Sequence, residues 1–389
     1  MSKRVLVTDG EERSALAVVR SLGAAGNTVF VAAKRRRSLA GSSRFATDCA
    51  AAPSPLEQPV AFRTAVRDLI RRWHIDVLLP MSEPALLALL PLRGELGVDL
   101  PFPDFDRFRH ICDKAAVMDA ARRAGIRVPA QHIIEAPSGD ALLPDDLAFP
   151  LVIKPARSVT GDTASRRKRS VVHVSGPVQL ERALASFSAD AYPILVQQRV
   201  VGPGIGIFVL LRDGRLDAAF SHRRIREKPP SGGVSVFRES IPLDPDLLDR
   251  SLALLREFDW SGVAMVEFKI DQDSGEAFIM EINGRFWGSL QLAIDAGVDF
   301  PRLLLEPPAQ PVLSYRPVRS RWEWGEVDHL IARMRHSTAR LNLPPESPGR
   351  SRALLDFLAA FRPGNSLEVL RARDPRPFIH ETRSWFGRG

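Results

Sequence analysis

The sequence predicts an α/β amino-terminal domain over residues 1–105, an α+β domain over 106–305, and a short, mostly helical, Pro/Arg-rich extension over 306–389. Three observations carry this. Short apolar runs alternate with helical periods at the start of the chain, the pattern of a parallel sheet covered by helices. From about residue 150 the apolar runs pair instead through hairpin signals, the clearest being Arg212-Asp213-Gly214. Beyond about residue 305, Pro307-Pro308, Pro344-Pro345 and Pro348-Gly349 cut the chain into short pieces. At 389 residues, 45% hydrophobic and 26% charged, the chain can bury more than one core, which excludes general disorder.

Val5-Leu6-Val7 reads as a buried strand, Asp9-Gly10 as a turn, and Leu16, Val19 and Leu22 as the apolar stripe of a helix ending at Gly23 or Gly26. Thr28–Ala32 is a second strand, and the helix Phe62–Trp73 with the strand Ile75–Leu79 repeats the unit. The first turn, Asp9 to Ser14, lacks the glycines that let a backbone approach a pyrophosphate, so this is not a classical dinucleotide site. Pro101, Pro103 and Asp104 precede a helix carrying Phe108, Ile111, Ala115, Met118 and Ala121, with Lys114 inside it and Gly125 closing it. Strands follow at Leu151–Lys154, Ser170–Val174, Ile194–Gln197, Gly206–Leu211 and Leu216–His222, with helices at Pro177–Ser186 and Asp244–Phe258. A last hairpin pairs Gly262–Ile270 with Ala277–Asn283 through a turn at Asp271–Gly275.

Lysine and arginine total 54 against 46 acidic residues, a formal net charge of +8, and only seven of the 54 are lysine. This arginine is spread over the chain rather than clustered, and no aromatic-interleaved reading motif accompanies it, so nucleic acid is not the expected partner. Cys49 and Cys112 cannot form a disulfide framework, and neither has a Cys or His at zinc-finger spacing. The most apolar stretch, Pro84 to Leu92, is about half of what a membrane span needs. A cytoplasmic protein without a membrane span is expected.

Four segments can carry chemistry. In the last hairpin, pairing Glu267 with Glu281 centres the turn on Asp273 and Ser274, where the turn formers lie. Alternation then groups Glu267 with Lys269, and Glu281 with Asn283. Two facing carboxylates repel unless a positive charge lies between them, and a hard divalent cation is one answer; a solvated polar face is the other. Lys154 ends an apolar strand between Pro150 and Pro155, followed by the small polar segment Ser158–Ser165, which suits a phosphate-covering loop. Ile194–Gly204 is an apolar strand running into a turn, able to offer backbone groups to an adenine edge. Ser221–Ser235 combines Arg223, Arg224 and Arg226 with Gly232-Gly233 in what reads as a loop leaving the sheet, where guanidinium forks suit carboxylates. Ser82 and Glu83, in the loop after the strand ending at Leu79, are candidate substrate contacts, because ligands gather at strand carboxyl ends.

Together the lysines, the strand-to-turn segment and the string Glu281-Ile282-Asn283-Gly284-Arg285 resemble the ATP-grasp superfamily over roughly residues 1–305, and most closely its carboxylate–amine ligases related to the carbamoyl phosphate synthetase large-chain fold. The resemblance implies an ATP-grasp nucleotide-binding domain over 106–305 with ATP and Mg²⁺ as cofactors, Mn²⁺ being the substitute. It matches Lys114 and Lys154 to the phosphates; Gln197, Gln198, Arg199 and Val200 to the adenine hinge; and Glu267, Glu281 and Asn283 to the metal. Arg285 matches the residue facing the transferred phosphate, and Arg223 and Arg226 are placed to orient a substrate carboxylate. The hinge departs from the family in carrying Gln197 and Gln198 where an acidic ribose contact is common, and the covering loop has a single glycine, Gly161, before Arg166–Arg169.

The implied activity is a ligase joining a carboxylate to an amine or similar nucleophile through an acyl phosphate, with small-molecule substrates and a homodimer as an available assembly. The alternatives are a non-catalytic ATP-binding module and, on charge alone, a basic nucleic-acid-binding protein.

Overall fold

The computed structural model describes residues 2–137, 147–161, 166–169, 171–344, 347–361 and 364–387. Strands β1 (Arg4–Val7), β2 (Thr28–Ala33), β3 (Ala46–Ala51) and β4 (Val77–Leu79) form a parallel sheet in the order β3-β2-β1-β4. The Val5-Leu6-Val7 run is fully buried because it is central in this sheet and covered on both faces. Helix Arg13–Ala24 packs against helices Leu290–Ala296 and Phe300–Leu305, which explains why it is buried from Arg13 to Leu22 rather than along one stripe.

The helix expected around Phe108–Ala121 is two helices, Phe105–Ile111 and Lys114–Arg123. Asp113 breaks it by capping the second, its carboxylate accepting from Ala115 N at 3.1 Å and Ala116 N at 3.4 Å. Lys114 therefore opens a helix instead of lying within one.

Strands β5 (Gln131–Ile134), β6 (Leu151–Pro155), β9 (Val172–Val174) and β10 (Ile194–Gln198) form a small antiparallel sheet in the order β5-β10-β6-β9, with the hairpin β7 (Val159–Gly161) and β8 (Arg166–Lys168) inserted between β6 and β9. This sheet has its own core of Ile134, Leu147, Leu151, Ile153, Val174, Leu180, Ile194 and Val196.

The largest sheet has seven strands: β11 (Gly204–Arg212), β12 (Arg215–Lys228), β13 (Val234–Ser240), β14 (Gly262–Ile270), β15 (Ala277–Asn283), β16 (Arg319–Arg321) and β17 (Asn365–Leu367), in the order β15-β14-β11-β12-β13-β16-β17. Here the structure corrects the sequence reading. β12 does not stop at His222 but runs to Lys228, so Arg223, Arg224 and Arg226 are strand residues, and the chain turns only at Pro229–Gly233 into β13. The carboxy-terminal extension supplies β16 and β17 and so completes this sheet, in addition to its helices Glu323–Arg335, Arg350–Ala359 and Arg376–Phe386.

The extension is also tied to the first helix. Arg20 Nε donates to Asp374 Oδ2 at 2.9 Å, and the same carboxylate accepts from Ser43 Oγ at 2.7 Å and Arg44 N at 2.9 Å. Removing one partner of a buried, hydrogen-bonded ion pair strands the other charge. Asp374→Ala is therefore expected to lower stability by about 3 kcal/mol, read as a fall in the denaturant midpoint at unchanged slope.

Candidate active site

The hairpin of β14 and β15 pairs Glu267 directly with Glu281, as the turn chemistry of Asp271–Gly275 requires. Asp271 Oδ1 organises that turn by accepting from Ser274 N at 2.9 Å and Asp273 N at 3.2 Å. One detail lies outside simple alternation: the register slips between Glu267 and Phe268, leaving Met280 without a cross-strand partner. Ile279 and Ile282 are therefore the buried residues of β15, and the Met280 carbonyl accepts from Lys154 Nζ at 3.1 Å. The bulge ties the small sheet to the large one at the point where the carboxylates lie.

Around Glu281 the cations converge. Asn283 Nδ2 donates to Glu281 Oε1 at 3.0 Å, and Arg285 Nη2 donates to Asn283 Oδ1 at 2.9 Å. Lys114, buried at the start of its helix, donates from Nζ to Ser158 Oγ at 2.6 Å. Burial alone would raise the Glu281 carboxyl, but Lys114, the Asn283 hydrogen bond, Lys154 and Arg285 together hold it below the usual carboxylate range. Burial pushes the Lys154 ammonium down to about 8, and the neighbouring Lys114 pushes it the same way, against Glu281 and Glu267. Burial raises the Glu83 carboxyl against the pull of Lys114 and Arg285, so the amino-terminal unit also reaches this centre. Ser82 Oγ donates to Asp9 Oδ1 at 2.7 Å beside it.

Glu267 is met by an arginine that the sequence reading gave no role of its own. Arg224 Nη2 lies 2.5 Å from Glu267 Oε2, and its Nη1 donates to Glu227 Oε1 at 2.9 Å. Gly204, opposite on β11, permits this: a Cβ there would stand 3.0 Å from Arg224 Cδ. The two arginines expected to orient substrate point elsewhere. Arg223 Nε donates to Glu239 Oε1 at 3.0 Å, and Arg226 makes a two-pronged contact with Glu326, at 2.7 and 2.8 Å. Alternation explains the division: with His222 buried, Arg224 shares its face and Arg223 takes the other, and bulges at Arg224–Glu227 carry Arg226 toward the helix Glu323–Arg335. The strand position of Arg224 would have been the signal, had β12 been extended past His222.

The hinge segment lies along the same small sheet. Gln197 pairs with Val152, and its Nε2 donates to Gln131 Oε1; Gln198 N donates to Ala130 O at 2.8 Å and Arg199 N to Pro150 O at 3.1 Å. The Arg199 guanidinium donates to Asn342 O at 2.6 Å, and Val200 is buried. Leu195 is opposite Lys154 and Gln198 opposite Leu151, so the hinge is about 10 Å along the strands from the lysine. Residues 162–165 of the expected covering loop lie outside the described residues. On its carboxy-terminal side, Arg166 donates to Pro84 O at 3.4 Å and Leu87 O at 3.3 Å, and Arg169 to Asp190.

Among the described residues no three His, Cys, Asp or Glu side chains gather as a metal cage. The donors present are two carboxylates and one amide. That set fits Mg²⁺, which takes one or two carboxylates and leaves its other positions to water and phosphate oxygens; Mn²⁺ accepts the same hard oxygen donors.

Residues 190–323 match the family model described as ATP-grasp in the biosynthetic pathway with Ter operon. By this match residues 190–323 are similar to an ATP-grasp domain. Over 269 residues the chain is 26% identical to the carbamoyl phosphate synthase large chain of Rubrobacter xylanophilus, a match covering 64% of this chain but only 25% of that one, so the chain spans a quarter of its relative's length. Its fold is shared with L-amino acid ligase from Bacillus licheniformis (TM-score 0.61, 18% identity, 81% of this chain and 75% of that one). It is shared likewise with N5-carboxyaminoimidazole synthetase from Staphylococcus aureus complexed with ADP (TM-score 0.63, 14% identity, 82% and 81%). No described helix of the chain is long and apolar enough to cross a membrane.

Proposed function

We propose that the protein is an ATP- and Mg²⁺-dependent ligase that joins a carboxylate to an amine or similar nucleophile, releasing ADP and phosphate. The observation that carries this is the convergence of Lys114, Lys154 and Arg285 on Glu281, which Glu267 faces across the hairpin, with no activated nucleophile among them. Such a set positions and neutralises phosphates without forming a covalent enzyme intermediate. The relatives named as ligase and synthetase agree with it.

In this reading the substrate carboxylate attacks the γ-phosphorus of ATP, the β,γ-bridging P–O bond breaks toward ADP, and an acyl phosphate forms. The amine then adds to the acyl carbon, loses its proton, and phosphate departs. Lys114 and Lys154 hold the phosphate oxygens, Gln197 to Val200 border the adenine, and Arg285, oriented by Asn283, meets the charge on the phosphoryl group in transfer. Mg²⁺ held by Glu267, Glu281 and Asn283 would supply charge neutralisation across the phosphate oxygens. The residues 1–105, through Glu83, and the extension 306–389 would carry substrate choice.

The test is a screen for ADP release with pooled carboxylic acids and amines, followed by mass spectrometry. A product mass equal to acid plus amine minus water is the expected result. The Arg224–Glu267 pair, which engages one of the two metal carboxylates, favours a second reading, a nucleotide-binding module without turnover. That module would bind Mg·ATP and release no ADP across the screen.

A further inference from the structure

β12 and β14 are both antiparallel to β11, one on each side of it, and both outrun its start. The β11–β12 pairing ends with Ile205 opposite Arg223, yet β12 continues to Lys228. The β11–β14 pairing ends with Gly204 opposite Lys269. Beyond that point the hinge turn runs beside β14, with Ile270 N donating to Pro203 O at 3.0 Å and Gln272 N to Val201 O at 2.9 Å. Lys269 lies two residues from Glu267 on the same face, about 7 Å toward the hinge. A nucleotide with its base at Gln197–Val200 and its phosphates at Lys154 and the hairpin glutamates must hold its sugar between them, beside Gly204 and Lys269.

The hinge stretch 197–206 brings no acidic side chain to that place. Glu227, on the overhanging end of β12, does. Its Oε1 accepts from Arg224 Nη1 at 2.9 Å, and Arg224 crosses Gly204 to reach Glu267. Glu227 also exerts the strongest charge interaction on the Lys269 ammonium, ahead of Arg199, Glu267 and Arg224. The carboxylate therefore stands between the hinge and the metal carboxylates. Its Oε2 takes no hydrogen bond from any described residue, and the side chain is 15% exposed.

The ligand chemistry follows from this pair. Each hydroxyl of a vicinal diol donates one hydrogen bond and can accept others. A carboxylate accepts the O–H, and a charged acceptor makes a stronger bond than a neutral one. Lys269 Nζ donates to Gly202 O at 3.3 Å, which leaves N–H groups to donate in return.

We propose, resting on the nucleotide site of the ligase reading, that Glu227 accepts from the sugar hydroxyls of the bound nucleotide, with Lys269 donating beside it. This β12 carboxylate, and not the hinge, sets a preference for ribonucleotides over nucleotides whose sugar lacks the diol.

The experiment is calorimetry of Mg·ADP and of Mg·2′,3′-dideoxy-ADP, each with the full chain. Mg·ADP should bind at least about tenfold tighter, the worth of one hydrogen bond to a charged group. Glu227→Gln, which keeps the shape and removes the charge, should bring the ratio within about threefold, chiefly by weakening Mg·ADP. Glu227→Asp, which keeps the charge beside Arg224 but draws it back by one methylene, should lower the ratio as well. A carboxylate that only braces Arg224 would weaken both nucleotides in parallel and leave the ratio intact. Circular dichroism reports on the folding of each variant. Equal binding of the two nucleotides by the unaltered protein, or an unchanged ratio in a folded Glu227 variant, overturns the proposal. Absence of binding of either nucleotide by the unaltered protein overturns instead the ligase reading on which it rests.

Discussion

Replacing Glu281 with Gln should reduce ADP release by about a thousandfold or more, equivalent to about 4 kcal/mol of transition-state stabilisation. Three cations, Lys114, Lys154 and Arg285, act on this one carboxylate, and Asn283 is fixed by it. Gln keeps the shape of the side chain and removes its charge. The cations then repel one another without relief, and the paired oxygen donors for Mg²⁺ fall from two carboxylates to one. The fold should survive, because the carboxylate faces the site while the strand is held by Ile279 and Ile282 in the core. The measurement is single-turnover ADP formation beside a thermal melt. A folded Glu281→Gln protein with undiminished turnover would defeat the assignment of this hairpin to phosphoryl transfer. Glu267→Gln should be milder in its effect on the cations, since its partner is Arg224.

The difference between those two glutamates shows what the sequence could and could not reveal. Their opposition was legible, because Asp271 to Gly275 allows one compact turn and the register follows from it. The slip at Met280 was not, since both of its neighbours read as ordinary alternating residues, and with it the carbonyl that receives Lys154 went unseen. The parallel first sheet was legible from apolar runs alternating with helical periods, whereas β5, β16 and β17 are three- or four-residue strands whose polar composition gives no period to detect. β12 illustrates tertiary context: Arg223 to Lys228 is a poor strand sequence by composition, yet its charges find partners from β13, β14 or the helix Glu323–Arg335. Ties such as Arg20 to Asp374 join residues more than 350 apart, and no local pattern can announce them.

Nucleotide affinity should weaken as pH rises through about 8, and Lys154 is the group responsible. In the free protein burial, reinforced by Lys114, lowers its ammonium from 10.5 to about 8, against the pull of Glu281 and Glu267. A base whose folded value is depressed costs stability while it is charged, so the free protein should gain stability as pH climbs from about 8 toward 10.5. Polyphosphate reverses the local balance. Its negative charge favours the ammonium, so Mg·ATP binding draws a proton onto Lys154, and above the free-protein value that proton must come from increasingly dilute solution. If only the charged form makes the contact, the dissociation constant should rise about tenfold per pH unit above 8. Calorimetry in buffers of different ionisation enthalpy counts the proton directly. Lys154→Arg, permanently charged, should flatten the dependence, and Lys154→Met should weaken Mg·ATP by about 10- to 100-fold at neutral pH, the worth of a charge-assisted hydrogen bond. A pH profile unchanged in Lys154→Arg would place the titration elsewhere.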